Sequence, residues 1–133
     1  MALTVATRQK FTPGIPITCV ASAAVTAERL VSVSGDSQPD TANIPVSHST
    51  ATSMVLGVAL HSAAIGELVA VLPVGSGGVV AVNVASAGAI AFGDAVKSNA
   101  TGQLIVAVTT SDRCGIATHS AALSTTCYVA LGV

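Results

Sequence analysis

A nine-residue stretch of this chain occurs twice. Gly57-Val58-Ala59-Leu60-His61-Ser62-Ala63-Ala64-Ile65 is matched by Gly115-Ile116-Ala117-Thr118-His119-Ser120-Ala121-Ala122-Leu123, with six identities and two further aliphatic exchanges. Each copy is followed by an apolar run, Val69 to Leu72 and then Tyr128 to Leu131. Upstream, Ala27-Glu28-Arg29-Leu30-Val31 and Gly93-Asp94-Ala95-Val96-Lys97 hold similar places, each a charged turn leading into a strand. Two strand-turn-strand units are too few for a solenoid, so the repeat predicts two halves of one pseudo-symmetric barrel or sandwich.

The rest of the chain has the same grain. Leu30 to Val33, Met54 to Leu60, Leu68 to Val74, Val79 to Val84, Leu104 to Val108, Gly115 to Ala117 and Tyr128 to Val133 are short apolar runs. They are separated by Ser34-Gly35-Asp36, Gly75 to Gly78, Ser98 to Gly102 and Thr110 to Arg113, all rich in turn formers. The fold class expected is all-β, a small β-barrel or sandwich of short strands with little helix. Val79 to Val84 and Leu104 to Val108 are apolar on both alternating faces, as for strands covered on both sides. The one helical competitor is Ala21 to Leu30, whose alanines could hold one or two turns. Residues 20–133 are expected to form a single β domain, with half-repeats at about 27–74 and 90–133. Residues 1–19 read as an extended N-terminal arm, with Leu3, Val5 and Phe11 set among Arg8 and Lys10 and then punctuated by Pro13, Gly14, Ile15 and Pro16. Such an arm can add as a strand to another molecule, which makes Leu3, Val5, Arg8, Lys10, Phe11, Pro13 and Ile15 the candidate residues for contact with another subunit or a larger assembly.

Composition narrows the function classes. Phe11, Phe92 and Tyr128 are the only aromatics, so the core is mainly Ala and Val and gains less from burial than an aromatic-rich one. Charged residues make up 8% of the chain, against roughly 25% in an average soluble protein, which suits a surface largely covered by partners. A net charge of −1 gives no basis for direct nucleic-acid contact. Leu68 to Phe92 carries no charge, but Pro73, Gly75, Gly77, Gly78, Asn83 and Gly88 break it before a membrane span of about 20 residues is reached. Pro13, Gly14 and Pro16 likewise break the secretory-like segment that Arg8 and Lys10 introduce.

No constellation for catalysis emerges, and the chain is expected not to be an enzyme and to need no cofactor or metal. His61 and His119 hold equivalent repeat positions and are the one pair a pseudo-twofold could bring together, yet a turn histidine explains each. His48 lies in a Ser/Thr-rich stretch. Cys19, Cys114 and Cys127 lack metal-ligand spacing and read as buried free thiols, with a single disulfide as the alternative. No Gly-x-Ser-x-Gly elbow occurs, and Glu28, Asp36, Asp40, Glu67, Asp94 and Asp112 fall mainly in turns.

The order Gly93-Asp94-Ala95-Val96-Lys97, Thr101-Gly102-Gln103-Leu104, Cys114-Gly115-Ile116-Ala117 and Tyr128-Val129-Ala130-Leu131 resembles the capsid decoration, or cement, proteins of tailed bacteriophages. The resemblance runs from about Ala27 to the C-terminus. It implies a structural virion protein on the outer capsid surface, with the major capsid protein and its own copies as partners, commonly as a homotrimer that stabilises the mature shell. The competing expectation is a tail- or fibre-associated β module that binds carbohydrate.

Overall fold

The computed structural model describes residues 16–36, 43–75, 79–85, 89–109, 113–122 and 125–132, which form ten strands and no helix. The first five are β1 (Ile17–Ala21), β2 (Leu30–Val33), β3 (Ile44–His48), β4 (Gly57–Ala59) and β5 (Leu68–Pro73), closed into a barrel in the order β1-β3-β2-β4-β5. The second five are β6 (Val79–Asn83), β7 (Ala95–Ser98), β8 (Leu104–Val106), β9 (Gly115–Ala117) and β10 (Thr126–Leu131), a sheet in the order β6-β10-β9-β7-β8. Each repeat copy therefore carries a five-stranded sheet of its own, and the two sheets have the same topology.

The registers coincide pair by pair. Val58 faces Leu30 and Leu72 in the first unit as Ile116 faces Ala95 and Ala130 in the second. Every member of the first interior has a counterpart in the second: Cys19 and Val82, Ala21 and Val84, Val25 and Ile90, Val31 and Val96, Val46 and Leu104, Ala59 and Ala117, Ala63 and Ala121, Val69 and Cys127, Val71 and Val129. Small aliphatics suffice because a five-stranded barrel has a narrow bore.

The repeated residues owe their identity to the backbone. Gly57 and Gly115 begin β4 and β9 where the next strand runs too close for a side chain: an added Cβ would overlap the Leu72 carbonyl oxygen at the first and lie 2.5 Å from that of Ala130 at the second. Ser62 and Ser120 accept the main-chain N–H of Ala27 and Phe92 at 3.0 and 3.1 Å, holding the preceding turn. Ala63 and Ala121 exchange main-chain hydrogen bonds with Val25 and Ile90. That pairing also explains why Ala21 to Leu30 is not helical: β1 runs through Ala21, Val25 bridges to Ala63, and Glu28 turns the chain with a φ of 65°.

Glu28 stands where the second unit has Gly93, whose φ is 85°. A side chain in the left-handed region costs roughly 1–2 kcal/mol, partly offset by the greater unfolded-state freedom of glycine. Glu28→Gly is therefore expected to raise stability by up to about 1 kcal/mol in urea unfolding, and a loss of stability would show that the Glu28 side chain contributes more than its backbone costs.

The two units differ in how they close. In the first, β1 and β3 pair in parallel from Cys19 with Ile44 to Ala21 with Val46. In the second, among the described residues, an isolated bridge from Val84, just past β6, to Leu104 of β8 takes the place of that pairing. Asn99 Oδ1 accepts the N–H groups of Thr101 and Gln103, both at 2.9 Å, and this turn keeps residues 102 and 103 out of the ladder. Gln103 Nε2 then donates to Asn83 Oδ1 at 2.8 Å across the gap. The freed main-chain groups go to the first unit: Asn83 N–H donates to the Glu28 carbonyl, and Leu30 N–H to that of Gly102, each at 2.7 Å. Leu30, Val58 and Leu72, from the outer face of the first barrel, join the apolar core of the second sheet. The first unit thus plugs the second; of the corresponding positions Ala95, Ile116 and Ala130 in the second unit, the two alanines are too small to do the same.

Candidate interaction surface

The described residues contain no group of three or more His, Cys, Asp or Glu side chains able to hold a metal ion. His61 and His119 are each engaged locally, and differently. Ala70 N–H donates to His61 Nε2 at 3.1 Å while His61 Nδ1 lies 3.0 Å from the Ser62 carbonyl, so the ring fastens the hairpin of its own unit. His119 Nδ1 is 2.9 Å from Thr118 Oγ1, and its ring meets Tyr128 edge-on with centroids 5.2 Å apart. The three cysteines are free thiols. Burial pushes the Cys114 thiol up to about 11 and raises those of Cys19 and Cys127, which keeps all three protonated and poor nucleophiles near neutral pH.

The informative feature is apolar surface. Leu60 follows β4 and donates its N–H to the Ala70 carbonyl, with Leu68 two residues away on the same outward face of β5. Between them in sequence, Ile65 tops a turn locked by Glu67, whose Oε1 accepts Ala64 N–H at 2.6 Å and whose own N–H reaches the Ala64 carbonyl. Leu60, Ile65 and Leu68 are all exposed. The same outward face of the second unit is built from Thr118, Thr126 and Tyr128, with Thr118 donating from both N–H and Oγ1 to the Tyr128 carbonyl. Phe92, 75% exposed, occupies the turn position that Ala27 has in the first unit. Both described aromatics are therefore on the outside, although a chain this poor in aromatics would gain most by burying them.

Further exposed aliphatics lie on and beyond β8. Leu104 is buried, but Val106 is open and Val108 is 91% exposed, so Leu104 to Val108 is not covered on both sides by its own chain. Val79 to Asn83 is likewise only half-buried except at Val82. Charged residues make up only 8% of the chain, and exposed apolar surface that is contiguous is the kind that marks contact sites. Sequence reasoning missed Leu60, Ile65 and Leu68 as candidates because exposure is decided by the sheet, not by the run in which a residue sits. The arm residues Leu3, Val5, Arg8, Lys10, Phe11, Pro13 and Ile15 lie outside the described residues.

The sequence model of the phage cement protein family matches residues 9–132. Among solved structures, the chain is similar to the N base of head fibre gp8.5 of bacteriophage phi29, with a TM-score of 0.70 and 23% identity over 88% of this chain and 92% of that one. No curated protein sequence matches.

Proposed function

The chain belongs to the phage cement protein family, and from that premise we propose that it binds the outer surface of a phage capsid, on the major capsid protein, and stabilises the mature shell as a homotrimer without any turnover. The observation that carries the reading is the charge-poor exterior with exposed Leu60, Ile65 and Leu68 on one unit and Phe92 and Tyr128 on the other. Contacts of this kind, weak singly, add up when repeated around a closed ring and over a shell. A protein that binds the expanded lattice and not its precursor favours the expanded state by mass action.

Co-sedimentation with emptied, expanded heads and with unexpanded heads tests the reading. Saturable binding to expanded heads alone is expected, and equal binding to both, or to neither, overturns it. Deleting Met1 to Lys10 is expected to leave the circular-dichroism spectrum unchanged and to weaken attachment at least about tenfold, which is the scale of losing 1.4 kcal/mol of strand pairing. Undiminished binding would remove the arm from the mechanism. Sedimentation equilibrium of the isolated chain tests the trimer.

The exposure of both Phe92 and Tyr128 favours a second reading, a carbohydrate-binding module of a tail or fibre. Glycan binding that Phe92→Ala and Tyr128→Ala abolish would establish it.

A further inference from the structure

The junction between the units is built around an imidazole. His48 ends β3 beside Val31 of β2, and its Nε2 accepts the Thr26 N–H at 2.9 Å. That acceptor exists only in the neutral ring. The junction is within contact range: a Cβ placed on Gly102 would lie 3.4 Å from that of His48 and 3.5 Å from that of Arg29. Gly102 is the residue whose carbonyl receives Leu30 N–H, and Ser49 N–H, next to His48, donates to the Leu30 carbonyl. The segment that His48 holds at Thr26 is thus the one that crosses into the second unit at Glu28 and Leu30.

We propose that His48 is a proton-sensitive latch: neutral, it fixes the 26–30 segment that plugs the second unit, and protonated, it lets that segment open. Protonation removes the acceptor for Thr26 N–H and sets a second cation beside Arg29. Arg29 is already strained for partners, since its Nε is buried without a hydrogen bond while one terminal nitrogen reaches the Thr101 carbonyl at 3.4 Å. Of the elements packed on β3, the 26–30 segment brings Arg29, which opposes a charge on His48, and Glu28, whose carboxylate is 3.5 Å from Thr126 Oγ1. β1 brings only the Cys19 thiol, and β2 and the 99–102 turn bring no ionisable group.

The direction in pH follows. Burial first, and Arg29 second, hold His48 below the usual imidazole value of 6.5. An opened segment frees the ring to take a proton nearer that value, so the latch holds fully above about pH 6.5 and weakens as the pH falls toward the lowered value of the closed state. No further weakening is due below it.

Hydrogen exchange followed by NMR at pH 7.5 and 5.5, corrected for intrinsic rates, tests the proposal on the intact chain. Opening at the Thr26, Leu30 and Asn83 amides is expected to rise several-fold at the lower pH, with a ceiling of about tenfold per pH unit for one proton, relative to Val71 in the first barrel. His48→Gln, which keeps an acceptor and does not titrate, is expected to abolish that rise. Wild-type amides that track Val71, or a rise that persists in His48→Gln, overturn the latch. Should His48→Gln not fold, Arg29→Met serves: removing the neighbouring cation brings the closed-state value of His48 nearer 6.5, so the rise in opening is expected to shrink and to level off at a higher pH, and a rise of undiminished size overturns the proposal.

Discussion

Truncating Leu30 to alanine is expected to cost about 3–5 kcal/mol, in the upper part of the range for large-to-small core changes. Leu30 is fully buried and belongs to the core of the second sheet although it sits on the first barrel. Its main chain is also pinned on both sides, by Gly102 through its N–H and by Ser49 through its carbonyl. The backbone cannot easily follow a shortened side chain into the gap, so most of the cavity persists. Val96→Ala, in the interior of the second sheet alone, removes less volume and is expected to cost less. Urea unfolding of both variants checks this, and a Leu30→Ala cost below about 1 kcal/mol would mean that the plug holds nothing together.

Gly57→Ala is expected to be as damaging for the opposite reason. The added methyl would meet only backbone, overlapping the Leu72 carbonyl oxygen and lying 2.8 Å from Pro73 Cα. No rotamer relieves that, so β4 and β5 must separate in a barrel whose remaining pairs are already closed. A cost of about 3 kcal/mol or more is expected, at the top of the overpacking range. Gly115→Ala is the internal control, since its nearest backbone atom is 2.5 Å away and its next neighbour is the Val129 side chain. It is expected to be the milder of the two, and calorimetric midpoints give the order.

These two positions also show why the repeat was legible. Gly57, Ala59, Ser62 and Ala63 recur because each meets a backbone requirement that the other unit poses again: a close strand, a narrow interior, a turn to hold, a bridge to make. The resemblance motifs have the same origin. Gly93-Asp94 is a turn in which Asp94 Oδ2 accepts Ala91 N–H at 2.9 Å, and Gly102 sits where a side chain would strike the Leu30 carbonyl. β3 was not legible. Ile44-Pro45-Val46-Ser47-His48 is short, holds a proline and leads into a Ser/Thr-rich stretch, but Pro45 needs only its carbonyl, which accepts Ser34 N–H at 2.9 Å. The exposed apolar residues were not legible either, because Leu60 and Leu68 stand in runs of the same kind as those that fill the interiors.

The division of labour follows from the packing. The interiors are filled by apolar side chains at equivalent positions of the two units, while Leu30, Val58 and Leu72 fasten one unit to the other. Leu60, Leu68, Phe92 and Tyr128, which stand opposite Thr118, Thr126, Ala27 and Ala70 in the other unit, are left on the outside. Function, on this view, resides in what the two copies do not share.

Cryo-microscopy of phage heads lacking this chain, incubated with it and washed, tests the central claim most directly. Paired five-stranded units on the outer face of the expanded shell, three copies to a cluster, is the expected result. Density confined to the tail, or bare heads at saturating protein, would contradict it.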